Sequence, residues 1–115
     1  MTIEHIRSNH RMSGIVKHNG TVYLSGRTAG SEEWDTAEQT RRCLQDIDGL
    51  LEEAGTSKQR LLSVAIYLRD MKDFAVMNEV WDAWVAGVPT PARVCVEAHL
   101  ARPIVKVEVC VIAAQ

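Results

Sequence analysis

Apolar and polar positions along this 115-residue chain follow two periods, and the places where one gives way to the other mark its elements. Alternation comes first. Residues 2–8 read as a strand, and Ile15-Val16-Lys17-His18 and Thr21-Val22-Tyr23-Leu24-Ser25 flank Asn19-Gly20. That dipeptide accepts positive φ at both positions, as a two-residue hairpin turn needs, so a β-hairpin is predicted over 15–25. Residues 26–33 read as a loop carrying two glycines and Arg27. The period then becomes helical: Thr40, Cys43, Leu44, Ile47, Leu50, Leu51 and Ala54 recur three and four residues apart within 35–54. Asp35 or Thr36 can cap this helix, Glu38 stands at the capping-box distance from Asp35, and Gly55 ends it.

Leu62, Val64, Ile66 and Leu68 form one face of the next predicted strand. Asp70 or Lys72-Asp73 opens a second helix with Phe74, Met77, Trp81, Trp84 and Val85 inward, and Gly87, Pro89 and Pro91 stop it. Two alternating segments close the chain: Pro91-Ala92-Arg93-Val94-Cys95-Val96-Glu97 and Lys106-Val107-Glu108-Val109-Cys110-Val111. Residues two apart share a face of a strand. Read as a hairpin, these segments place Val94, Val96, Val107, Val109 and Val111 on an apolar side. Arg93, Cys95, Glu97, His99, Lys106, Glu108 and Cys110 take the other. The predicted order is β-β-β-α-β-α-β-β, an α+β single domain over residues 1–115. Two helices cover one face of so wide a sheet, so identical subunits are expected to cover the other.

The bulk numbers narrow the function classes. At 46% hydrophobic and 24% charged, the chain has the composition of a folded globular protein. No apolar run approaches the roughly 20 residues of a membrane span. The segment Met1-Thr2-Ile3-Glu4-His5-Ile6-Arg7 lacks the apolar centre of a signal peptide, so a cytoplasmic location without membrane contact is expected. A net charge of −2 gives no electrostatic reason to bind nucleic acid. Arg41-Arg42 is the only adjacent basic pair, and a helix turns those side chains about 100° apart. Cys43, Cys95 and Cys110 show no CxxC spacing and read as reduced thiols. Cys95 and Cys110 either face each other across the closing hairpin or are small buried fillers. His5, His10, His18 and His99 are scattered, so no metal is expected.

The chemistry concentrates at the end of the chain. Cysteine is usually buried, so two of them on the polar side of the closing segments predict a partly enclosed face with a cation and a carboxylate inside. Arg93 offers a rigid fork matched to a carboxylate and keeps its proton near neutral pH; a surface ion pair is the plain alternative. Glu108 can orient a water or move a proton, or form a salt bridge to Arg93 or Lys106. Asn78 lies beside the apolar stripe of the second helix, either near the site or as an ordinary helix position. Ser25-Gly26 ends a strand where glycine lets a ligand approach the backbone, though a turn explains it equally. Arg11 and Arg27 sit in loops from which either could reach a rim, and His99 shares parity with Arg93.

Four segments together resemble the Rid/YjgF family, the reactive-intermediate deaminases, over nearly the whole chain. They are Leu24-Ser25-Gly26, Asp73-Phe74-Ala75-Val76-Met77-Asn78, Pro91 to Glu97, and Lys106-Val107-Glu108-Val109 before Ile112-Ala113-Ala114. Asn78-Glu79-Val80-Trp81-Asp82-Ala83-Trp84 resembles the YoaB-like branch. The resemblance implies a chorismate-mutase-like fold, a mixed sheet with two helices on one face. It also implies a homotrimer with clefts between subunits. In such a cleft Arg93 would grip a substrate carboxylate and Glu108 would position water. Cys95, Ser25 and Gly26 would line it, with Asn78 nearby. The implied reaction is hydrolysis of an enamine or imine, such as 2-aminoacrylate, to a 2-oxo acid and ammonia, with no cofactor.

The chain also departs from the family pattern. Arg11-Met12-Ser13-Gly14 replaces a GPYSQ-like segment whose tyrosine closes the cleft. Gly26-Arg27-Thr28-Ala29 stands where Gly-Gln-Ile/Val-Pro is usual. Arg11, Met12 and Arg27 are therefore candidate rim residues, and a different or more highly charged acid becomes admissible. The expected function is a cofactor-free enamine/imine deaminase. The alternative is a non-catalytic trimer that holds a small acid or serves as a protein partner.

Overall fold

Asn19 and Gly20 take φ of 56° and 79°, the two positive values of a type I′ turn. They join β2 (Ser13–His18) to β3 (Thr21–Leu24) with Ile15 opposite Leu24 and Lys17 opposite Val22. The computed structural model describes residues 2–31 and 33–115. β1 (Glu4–Ser8) pairs antiparallel with β2. A two-residue strand, β4 (Arg27–Thr28), interrupts the predicted loop by pairing with the last strand.

Helix α1 (Thr36–Glu53) starts at Asp35, whose side chain accepts from the Glu38 backbone N–H. Only that half of a capping box forms, because the Glu38 carboxylate turns to Arg41 and Arg42. The helix ends in a Schellman motif: Gly55 takes φ of 83°, its N–H reaches the Glu52 carbonyl, and the Thr56 N–H reaches that of Leu51. The predicted apolar stripe of α1 is buried throughout, together with Thr36 and Gln39. After β5 (Leu61–Leu68), a 3-10 turn at Met71–Asp73 leads into α2 (Phe74–Trp84). β6 (Ala92–Glu97) and β7 (Val107–Ala114) complete the chain.

The last two strands are not a hairpin, contrary to the sequence reading. The sheet order is β1-β2-β3-β7-β5-β6, so β5 lies between them. β6 runs parallel to β5 and β7 antiparallel to it. The β5-α2-β6 path is a crossover, which returns the chain parallel to its starting strand and needs a helix to span it. Alternation shows which residues share a face, not which strand lies next door. Arg69 holds the intervening loop: its guanidinium donates to the carbonyls of Leu100, Arg102 and Val105 at 2.7–3.1 Å.

Register settles the faces. Val64, Ile66 and Leu68 stand opposite Arg93, Cys95 and Glu97 on one flank and Val111, Val109 and Val107 on the other. This face packs under α1 and α2 as the hydrophobic core. Val94 and Val96 belong to the opposite face, 52% and 43% exposed, not to the valine set of β7. A register slip between Leu61 and Ser63 buries Leu61 and turns Leu62 outward, against the predicted inward Leu62.

Candidate active site

Arg93 enters the helix face from the sheet edge, where α2 meets β6. Its Nη1 donates to Asn78 Oδ1 at 2.8 Å. The guanidinium carbon lies 5.5 Å from the Trp81 ring centre and 5.9 Å from that of Phe74, within cation–π range. Among the described residues no carboxylate forms an ion pair with it. The surface ion pair is therefore not the arrangement adopted. A half-buried cation with an amide and two rings for company keeps most of its five N–H donors for a ligand. Cys95 stands two residues on along the same face.

Glu108 occupies the other face. It lies opposite Tyr67 on β5 and Thr28 on β4. A Cβ on Gly26 would fall on the Glu108 Oε2 and lie 3.1 Å from its Cδ. Glycine at this position leaves the room that this carboxylate occupies. Ser25 precedes that glycine, and its hydroxyl accepts from Arg27 Nη1 at 3.0 Å. Arg27 turns to α1, pairing with Asp46 at 2.7 Å, and does not point to a rim beside Glu108. Cys110 shares the Glu108 face and contacts the Leu24 carbonyl at 3.6 Å.

Several sequence expectations change. Arg93 and Glu108 do not share a face, because the strands that carry them flank β5 in different registers. The enclosed polar face drawn from one hairpin does not exist in a single protomer. Cys95 and Cys110 lie on opposite faces and cannot meet. His99 is exposed in the loop after β6, and Lys106 precedes β7. Arg11 and Met12 are exposed in the β1–β2 turn, where Asn9 Oδ1 accepts from both backbone N–H groups. β1 and β6 are opposite edges of the sheet, so that turn lies far from Arg93 in the same protomer. Trp81 is buried in the core as expected and also walls the arginine, whereas Phe74, expected inward, is 38% exposed beside it. Their spacing with Asn78 at i, i+4 and i+7 was the available signal.

Burial pushes the Cys95 thiol up, against the opposing charge of Arg93. Burial and the Glu108 charge do the same for Cys110. Cys43, buried with Asp46 and Glu108 nearby, is raised to about 12. None of the three has the environment of an activated nucleophile. Arg41 and Arg42 both bond Glu38, at 3.1 and 2.8 Å. The hydrogen bonds from Arg42 and Arg41 hold that carboxyl below its usual range. The basic pair is thereby partly neutralised. No described helix is long and apolar enough to cross a membrane.

A family model described as Endoribonuclease L-PSP matches residues 2–115. The RutC family protein YoaB of Escherichia coli (strain K12) is 42% identical over 114 residues, covering 99% of each chain. A RutC family protein of Haemophilus influenzae is also 42% identical over 114 residues, covering 98% of each. Among solved structures, a YjgF-family protein from Neisseria meningitidis superposes with a TM-score of 0.92 at 46% identity, covering 100% of this chain and 96% of that one. A Rid-family protein from Yersinia pestis gives 0.86 at 27% identity, with 94% and 90% covered. Matched from end to end at these identities, the chain belongs to the Rid/YjgF family, whose members also carry the names RutC and L-PSP.

Proposed function

We propose that this protein is a cofactor-free enamine/imine deaminase that converts 2-aminoacrylate-type intermediates to a 2-oxo acid and ammonia. The observation that carries the reading is the Arg93 guanidinium, half-buried against two aromatic rings and, among the described residues, without a carboxylate partner. A planar cation in that state binds an organic acid bidentately. Glu108 supplies the second function. It accepts a proton from water as the oxygen attacks the imine carbon, then returns it to the nitrogen of the tetrahedral adduct. The hydroxyl proton of the adduct then passes through the same carboxylate to the nitrogen as the C–N bond breaks, so the carbonyl forms and ammonia leaves.

Because the two residues lie on opposite faces, the reading requires Arg93 of one protomer and Glu108 of a neighbour. A homotrimer joined through the open sheet face meets that requirement. Supporting it, that face carries Tyr23, Val94 and Val96, each at least 43% exposed, an apolar surface of the kind that subunits cover. Such imines hydrolyse unaided, so positioning plus one acid–base group, typically worth about 10²–10⁴-fold, suffices. The test follows the decay of 2-aminoacrylate and other imino acids released by a dehydratase. Wild type is expected to accelerate it, and Arg93→Ala and Glu108→Ala to lose most of the acceleration. A wild-type rate equal to buffer for every imine tried removes the reading.

A further inference from the structure

We propose that Trp81, together with Asn78, is a positioning residue for Arg93, presetting its free N–H groups for an incoming carboxylate. The inference rests on the reading of Arg93 as a carboxylate anchor. An arginine on an edge strand is long and mobile, and fixing it only when the ligand arrives weakens binding. Here the fixing is already done. The Asn78 oxygen sets Nη1, and the Trp81 ring lies under the guanidinium plane's carbon at 5.5 Å.

Trp81 is itself held from behind. It is 5% exposed, and its ring centre lies 5.4 Å from that of Trp84. Trp84 donates from Nε1 to Asp48 on α1 at 3.1 Å. Lys58 donates to the Trp84 carbonyl at 2.7 Å and sits 5.3 Å over its ring. A succession of cation, indole, indole and guanidinium thus runs from the α1 side of the molecule to Arg93. Ordinary core packing would need the indole of Trp81 but not the amide oxygen aimed at Nη1. Phe74, 38% exposed, lies 5.9 Å from the guanidinium carbon.

The test compares binding of 2-oxobutyrate with that of its uncharged analogue 2-oxobutanamide by calorimetry. If Trp81 acts through Arg93, Trp81→Leu weakens the acid about tenfold and leaves the amide unchanged. Trp81→Phe, which keeps a ring, stays closer to wild type. Equal weakening of both ligands, or of neither, overturns the positioning role while Arg93→Ala still abolishes the preference for the acid. If Arg93→Ala leaves that preference intact, or wild type has none, the anchoring reading fails and takes this inference with it. Should Trp81→Leu not fold, Asn78→Leu at a half-buried position carries the same comparison.

Discussion

Gly26 and Glu108 show how one missing side-chain atom can position a functional group. The Glu108 carboxylate occupies the space where a Cβ on residue 26 would lie. Gly26→Ala therefore displaces a flexible side-chain end, not backbone. It should lower kcat at least tenfold while leaving KM within about twofold, since the Arg93 that anchors the carboxylate belongs to the neighbouring protomer and keeps its place. Its effect should largely vanish in a Glu108→Ala background; full additivity in steady-state assays would contradict the contact. Cys43 supplies a second residue-scale prediction. Its folded thiol is raised from 9.0 to about 12, so the folded state retains a proton that the unfolded chain releases. The contribution is whole below pH 9 and is lost as pH rises toward 12. Urea unfolding between pH 8 and 10.5 should show stability falling with pH, and Cys43→Ala should flatten that slope.

Among the elements, α1 is tied to the end of the chain by one buried amide. Gln39 Nε2 donates to the carbonyls of Trp34 and Ile104 at 3.2 and 2.9 Å, and its Oε1 accepts from the Lys106 backbone at 2.9 Å. Gln39→Leu keeps the volume but leaves those groups unpaired. A loss of about 1–3 kcal/mol is expected in urea melts, with protection against hydrogen exchange falling first around Ile104 and Lys106. An unchanged midpoint would mean that water replaces the amide without cost. Sequence periodicity marked the helix but not this role, because a glutamine at a buried position looks like a flaw in the stripe until its partners are known, two of them more than 60 residues away.

At the scale of the whole molecule, the separation of Arg93 and Glu108 makes a prediction that a single-protomer site cannot share. Arg93→Ala and Glu108→Ala proteins should each keep only a small residual activity alone. Unfolded together at equal amounts and refolded, they should recover about a quarter of wild-type activity, since a cleft built from adjacent protomers is then intact by chance one time in four. No recovery, with mixed oligomers verified by native mass spectrometry, would place both residues' function within one chain.

Local pattern alone determined a good deal. The hairpin at Asn19-Gly20, the limits and buried stripe of α1, the second helix and the alternating closing strands all follow from interactions between near neighbours. Those interactions are encoded wherever the residues stand together. Arg93 and Glu108, the residues of the proposed site, were also visible as types out of place in apolar strands. Tertiary structure decided which strands are neighbours, and that one decision redistributed the site. Inserting β5 between β6 and β7 put Arg93 under α2 against Trp81 and Asn78, and left Glu108 on the open face beside Gly26. A period of two residues records faces within a strand but carries no information about the partner across it. Pairing depends instead on how the crossover through α2 closes and on which apolar faces are buried together.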